Sequence, residues 1–174
     1  MYVLKTLLDI LGRDRLYLSI QPEKLEFKTC VVETTLLIPH EDVTRSKVDL
    51  VIRDIETSGC VKYPVLIDAR SFIVLDGHHR LEALREIGIY FTPAFFVDYA
   101  RDYVDVYPFR KDIYIDKSSV LRKALEERAL FPPKTTKHVL IGASILPSYT
   151  KVEELENPVR SRKPTVIPGV YCYS

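Results

Sequence analysis

Net charge is almost absent from this chain. Its 174 residues carry 25 lysines and arginines against 24 aspartates and glutamates, a formal charge of +1. So small an excess supplies no field for holding nucleic acid by counterion release, and DNA is not the expected partner. Cysteine is scarce as well. Cys30, Cys60 and Cys172 are far apart and odd in number, with no Cys-x-x-Cys pair and no Cys/His ligand spacing. That pattern predicts neither a disulfide scaffold nor a zinc site, and it suits a reducing compartment. Long apolar runs are missing too: the stretch from Tyr2 to Leu11 is interrupted by Lys5 and Asp9. It has the form of neither a signal peptide nor a membrane span, so a cytoplasmic protein without a membrane partner is expected. Labile side chains are few, with one methionine, Gln21 as the sole glutamine and Asn157 as the sole asparagine. Beside abundant Lys, Arg and Glu, this is a thermophile habit.

What is present is ordinary globular material. Apolar residues make up 47% and charged residues 28%, enough for one domain with a hydrophobic core and room for a small appended lobe. Val3, Leu4, Leu7, Leu8 and Leu11 follow a helical period that stops at Gly12. Residues 16–20 and 30–38 read as strands. Val48, Val51, Ile52 and Ile55 predict a helix over about 43–57, ended by Ser58-Gly59. Two short apolar runs, 64–67 and 72–75, flank the polar turn Asp68-Ala69-Arg70-Ser71 and predict a hairpin. A helix is expected over 78–87 and a buried strand over 94–97. Residues 99–116 are tyrosine-rich with no clean period, and Tyr99, Tyr103, Tyr107 and Tyr114 are expected to pack in a core or interface. Ser118 or Ser119 is expected to cap a helix reaching about Leu130, before Pro132-Pro133. One short helix is expected near 152–156 in a Pro-rich tail that wraps back over a compact mixed α/β domain.

The sharpest local feature is Leu75-Asp76-Gly77-His78-His79-Arg80. A strand running through Gly77 into a helix leaves unpaired N–H groups and the positive end of the helix dipole facing one point. Gly77 permits close approach of a ligand, and Arg80 adds a planar fork for phosphate oxygens. The expectation is an anion site of the phosphate-binding kind. The chain has four histidines, confined to His40, the His78-His79 pair and His138, which suggests one shared site. Glu41, in Pro39-His40-Glu41, can serve as a general base on a hydroxyl if it points into the phosphate site; a helix-dipole role is the bland reading. Lys134-Thr135-Thr136 brings a cation and hydroxyls suited to phosphate or carboxylate.

These residues carry a resemblance. Pro64 with its strand, Asp76 to Arg80, Ala83, Gly88 and Pro93 look like the signature of the ParB/sulfiredoxin superfamily over roughly residues 30–98. Within it the chain is most similar to the free L-serine kinases, through Pro39-His40-Glu41, Asp76 to Arg80, Val97-Asp98-Tyr99 and Pro133 to His138. Sulfiredoxins place a reactive cysteine where this chain has His78. Chromosome-partition ParB proteins continue into a helix-turn-helix domain, and they use an Arg-rich phosphate motif that this chain lacks.

The resemblance implies an α+β fold: a compact mixed-sheet ParB/sulfiredoxin-like domain with a C-terminal segment packing over the site. An N-terminal helix and strand (1–28), a nucleotide-binding region (29–116) and a C-terminal helix, loop and tail (117–174) are expected to form one unit. It implies a kinase that uses ATP or ADP to phosphorylate free L-serine, with a non-catalytic ParB-like nucleotide- or DNA-binding module as the alternative. Glu41 would be the base, with Asp76 and His79 also catalytic. Gly77, His78, His79, Arg80, Lys134, Thr135 and Thr136 would hold phosphates, while His40, Thr136 and His138 would hold the substrate. Asp76 has two readings, a ligand for Mg2+ or an orienting group for the turn.

Overall fold

The computed structural model describes residues 2–16 and 22–173. A central mixed sheet contains β1 (Thr29–Glu33), β3 (Val65–Asp68), β4 (Val74–Asp76), β5 (Phe91–Val97) and the late β10 (Val170–Cys172). The short β2 (Cys60–Val61) lies outside this sheet, pairing with β8 (Thr150–Lys151). With β9 (Lys163–Pro164) the sheet order is β4-β3-β5-β1-β10-β9. The pair β3–β5 is parallel and the other neighbours are antiparallel. Alternation along β1 sends Val31 to one cluster of buried side chains and Cys30 and Val32 to another, so this strand is buried on both faces.

Helices cover the sheet as their periods require. In α2 (Arg45–Ser58), Val48 and Ile55 pack against Ala83 and Leu84 of α3 (His78–Glu86). Gly59 closes α2 in the left-handed conformation at φ 70°, as the Ser58-Gly59 stop predicts. The N-terminal α1 (Tyr2–Leu16) is broken at Gly12, whose φ of 70° and ψ of 170° are not helical. It rests on α4 (Lys117–Leu121) through a cluster that includes Val3, Leu7, Val120 and Leu121. Most of the strand expected at 16–20 lies outside the described residues.

Several expectations need correction. The run 30–38 is not one strand: after β1 the chain turns through a 3-10 segment, Thr34–Leu36, because the buried Thr34 hydroxyl bonds Thr92 Oγ1 at 2.9 Å. The cap of α4 is Asp116, not a serine; Ser119 completes a reciprocal capping box by donating its N–H to Asp116 Oδ1 and accepting the Asp116 N–H. That helix does not continue to Leu130 but widens into a π turn over Arg122–Glu126. The aperiodic tyrosine-rich stretch contains β6 (Val104–Pro108), paired antiparallel with β7 (Thr136–Leu140). The expected short tail helix is present as α5 (Val152–Glu156).

The largest correction concerns cysteine. Cys30 and Cys172 stand opposite each other in the β1–β10 pairing and form a disulfide across a separation of 142 residues. Cys60 is free. The cysteine argument for a reducing compartment therefore falls away, although no helix among the described residues is long and apolar enough to cross a membrane.

A covalent link that closes so long a loop should restrict the unfolded chain strongly. Reduction, or Cys172→Ser, should lower stability by about 2–4 kcal/mol, or roughly 5–15 °C in Tm for a chain of this size. Calorimetry with and without reductant checks this; equal Tm values would show that the link contributes nothing.

Candidate active site

The site is built on the turn between β4 and α3. Gly77 sits at φ 103° and ψ 26°. A Cβ there would lie 2.8 Å from both Arg80 Nη2 and Val65 Cγ1, so a side chain is excluded twice, by conformation and by space. No side chain caps α3. Its first N–H groups and the positive end of its dipole are thus free of a protein anion, the arrangement that suits a phosphate. Asp76 Oδ2 accepts from Arg80 Nη2 at 3.1 Å, one turn along.

The two histidines at the start of α3 hold a second segment in place. His78 Nε2 accepts the His40 N–H at 3.2 Å, and His79 Nε2 accepts the Thr44 N–H at 3.1 Å. Between those two anchors lies Glu41. The same loop is fixed from the other side, because Phe131 N–H donates to His40 O and Asp42 N–H donates to Phe131 O, each at 2.8 Å. The Glu41 carboxylate is aimed by Thr136, whose N–H and hydroxyl both donate to Oε2, at 2.8 and 2.7 Å. Oε1 has no protein partner among the described residues. His79 is half-buried, and the charges of Lys47, Glu41, Asp76 and Arg80 all act on it.

Behind Glu41 the remaining histidines meet. His40 is fully buried, with Nδ1 2.7 Å from Val74 O and Nε2 2.9 Å from Thr136 Oγ1. Its ring lies edge-on to His78 at 4.5 Å and to His138 at 5.3 Å. His138 Nε2 bonds the hydroxyl of the buried Tyr99 at 2.8 Å. Loss of hydration disfavours the imidazolium, pushing His40 down to about 4 and His78 and His138 well below the usual histidine range. His79 is lowered as well, first by burial and then by Lys47, against the pull of Glu41 and Asp76.

The sequence-predicted residues therefore divide. Glu41, Gly77, His79, Arg80, Asp76 and Thr136 gather at the mouth of the site. His40, His78 and His138 form its buried back wall. Thr135 is buried and its hydroxyl donates to Pro132 O at 2.6 Å, so that group is committed to the turn and not to the cleft. Lys134 is exposed on the same strap, at φ 55°, and forms no ion pair among the described residues. Sequence reasoning missed Thr44, Lys47, Phe131 and the Val74 carbonyl. Three of these act through backbone atoms, which leave no residue-type signal. Lys47 is an ordinary first-turn lysine in the sequence.

No protein-family model matches the chain. It is 35% identical over 82 residues to a ParB-like protein of Sulfolobus acidocaldarius, covering 47% of this chain and 41% of that protein. It is 29% identical over 73 residues to an ATP-dependent L-serine kinase of Staphylothermus marinus, covering 40% of this chain and 29% of that one. An ADP-dependent L-serine kinase of Thermococcus kodakarensis is 26% identical over 100 residues, 55% of this chain and 41% of the relative. The chain thus matches less than half the length of each of these relatives. Among solved structures, a free serine kinase in complex with AMP superposes with a TM-score of 0.65 at 16% identity, covering 75% of this chain and 94% of that one. The fold is that of the free serine kinase. The mixed sheet and the strand–glycine–helix turn expected from the ParB/sulfiredoxin resemblance are both present in this chain.

The buried histidines set a pH dependence. Each has its proton affinity depressed in the folded state, so below about pH 6.5 the unfolded chain binds protons that the folded chain refuses. Their contribution is fully present above that pH and is lost as pH falls toward 4, the value to which His40 is lowered. Each of His40, His78 and His138 should contribute roughly 1 kcal/mol of lost stability per pH unit in that window. Denaturant titrations at pH 7, 6 and 5 measure this; a flat midpoint would mean that the three rings are not held neutral by burial.

Proposed function

We propose that this chain is a kinase that transfers the terminal phosphoryl group of ATP or ADP to the hydroxyl of free L-serine, giving O-phospho-L-serine. One observation carries the reading. A glutamate with one oxygen engaged and one free stands beside an uncapped, glycine-led helix N-terminus. The L-serine kinases among its relatives support the substrate class, and the free serine kinase fold bound to AMP supports a nucleotide.

Phosphoryl transfer asks a protein chiefly for positioning and for charge stabilisation. The N–H groups of Gly77, His78 and His79, with the Arg80 guanidinium, would bind the nucleotide phosphates. His79 has Nε2 occupied by Thr44, so its Nδ1–H is the atom left to donate to a phosphate oxygen. Lys134, on its exposed strap, and Lys47 would add further positive charge for the transferred group. Glu41 Oε1 takes the proton from the serine hydroxyl. That oxygen then attacks the terminal phosphorus in line as the bond to the bridging oxygen breaks, and the shortened nucleotide leaves. His40 and Thr136 support Glu41 from behind, a different place from the substrate contact that the resemblance implies for His40.

Among the described residues no group of three or more His, Cys, Asp or Glu side chains could hold a metal ion. Asp76 is paired with Arg80. Asp76 orients Arg80 through Oδ2 and keeps its other oxygen exposed, so it would add one ligand to a Mg2+ carried in on the nucleotide phosphates. The ParB-like relative favours a second reading, nucleotide binding without turnover. Incubation with serine and ATP or ADP, followed by mass spectrometry for phosphoserine, separates the two: nucleotide binding with no phosphoserine from either donor would establish the second.

Glu41→Gln should reduce kcat by about 10²–10⁴-fold with little change in nucleotide affinity, since a base acts in the transition state. Near wild-type turnover would remove Glu41 from that role. For the substrate, threonine adds a methyl to the carbon bearing the attacking oxygen, and a pocket fitted to serine should disfavour it by at least ~10-fold in kcat/KM. Homoserine carries its hydroxyl one bond further out, and ~1 Å of misplacement costs about 10²-fold. Equal kcat/KM for all three, or activity on a seryl peptide alone, would contradict a site that reads the free amino acid.

A further inference from the structure

Three contacts run in line behind the carboxylate. Glu41 Oε2 is 2.7 Å from Thr136 Oγ1, Thr136 Oγ1 is 2.9 Å from His40 Nε2, and His40 Nδ1 is 2.7 Å from Val74 O. Each contact needs one hydrogen to be attractive. The Val74 carbonyl has none to give, the Thr136 hydroxyl has one, and a neutral imidazole has one. An ionised Glu41 brings none. Two hydrogens therefore serve three contacts, and in either imidazole tautomer one pair of lone pairs faces another. A single added proton completes the line: the Glu41 carboxyl donates to Thr136, Thr136 to His40 Nε2, and His40 Nδ1–H to Val74 O.

We propose that Thr136 and His40 complete the general base, forming with Glu41 a line that lacks one hydrogen until it receives the proton of the acceptor hydroxyl. The inference rests on the kinase reading for where that proton comes from, but the missing hydrogen follows from the contacts alone. In the step, the hydroxyl O–H bond breaks and the proton lands on the free Oε1. A half-turn of the carboxyl group, which exchanges Oε1 and Oε2, presents it to Thr136 Oγ1. The Thr136 hydroxyl then turns wholly toward His40 Nε2. No net charge enters the buried end, because His40 stays neutral throughout. Burial favours that neutrality, as the lowered proton affinity of His40 attests. The groups facing His40 are Val74 O from β4, His78 from α3, His138 and Thr136 from β7, and Glu41 through Thr136. Thr136 and His40 are thus positioning residues, and what they set is the proton affinity of Glu41.

The line differs in sign from a plain hydrogen bond. If Thr136 merely donated to an ionised Glu41, its removal would raise the carboxyl's proton affinity. In the line Thr136 accepts from the protonated carboxyl, so its removal lowers that affinity.

Two measurements on the full chain test this. In the first, NMR of protein labelled at the Glu carboxyl carbons and His ring nitrogens follows Glu41 and His40 through an acid titration. In the wild type both nuclei should respond at one shared midpoint above the acid unfolding transition, with the His40 ring nitrogens keeping the shifts of a neutral tautomer there, the mark of coupled sites without protonation of the ring. In Thr136→Val the His40 response at that midpoint should disappear, and in Thr136→Ser it should return. A His40 ring that ignores the Glu41 midpoint in the wild type would overturn the proposal. In the second, the acid limb of kcat/KM for serine phosphorylation should move down by about one pH unit in Thr136→Val, as loss of one hydrogen bond to an ionisable group predicts, and recover in Thr136→Ser. A limb that moves up, or stays in place, would also overturn it. Shared NMR midpoints in a chain that makes no phosphoserine would leave the line standing and sink the kinase reading, so the two failures are distinguishable.

Discussion

Two backbone N–H groups, those of His40 and Thr44, end on the Nε2 lone pairs of His78 and His79, and the rest of the site depends on that pair of bonds. They lock the Pro39–Thr44 segment to the first turn of α3, so a carboxylate from one part of the chain is registered against a helix terminus from another. An imidazole accepts at Nε2 only while it is not protonated there, which makes neutrality of both rings a structural requirement. Burial supplies it, and the His40 ring, itself against His138, packs edge-on against His78. The adjacent histidines therefore do more than decorate a phosphate turn. Each imposes a distance between the turn and Glu41.

This arrangement explains why the roles of the four histidines were only partly legible. Their grouping into a single site was readable from their confinement to three polar clusters. The direction of each ring was not. In sequence, His78-His79-Arg80 after a glycine reads as three groups aimed at phosphate; in the fold, both Nε2 atoms turn back to the loop. Backbone acceptors and donors such as Val74 O, His40 N and Thr44 N have no signature in residue type, and they are the partners that fix those rings.

The same division runs through the fold. Local signals were sufficient for α2 with its Gly59 stop, for the β3–β4 hairpin and for the strand–glycine–helix turn, because each depends on neighbours in sequence. Long-range pairings were hidden. Val104 and Val106 alternate with Asp105 and Tyr107 over a short span, and only the partner strand beginning at Thr136 makes that alternation a ribbon. Cys30 and Cys172 are 142 residues apart, and their meeting depends on β10 returning to the edge of β1. Nothing in cysteine spacing can report such a return. The Asp116 cap is hidden for a smaller reason: Ser118 and Ser119 are good caps themselves, and the reciprocal pair needs an acceptor three residues before Ser119.

A chain with a net charge of +1 must attract a polyanion locally if it is to bind one. The attraction here is assembled from short-range parts. The uncapped N–H groups of α3 and its dipole act only within a turn of the helix end. Arg80 is partly neutralised by Asp76 until a stronger anion arrives, and Lys134 stands unpaired among the described residues on a strap that follows two prolines. Neutral histidines in the wall add no charge of their own, so the carboxylate of Glu41 is not drawn into an ion pair from behind. A buried imidazolium there would hold Glu41 in its ionised form and weaken it as a base. Thr136 avoids this by standing between the two, passing a hydrogen bond in whichever direction the proton count requires. In the proposed mechanism the same burial that stabilises the loop would also keep the carboxylate reactive, and a single structural choice, histidines held neutral, would serve both ends.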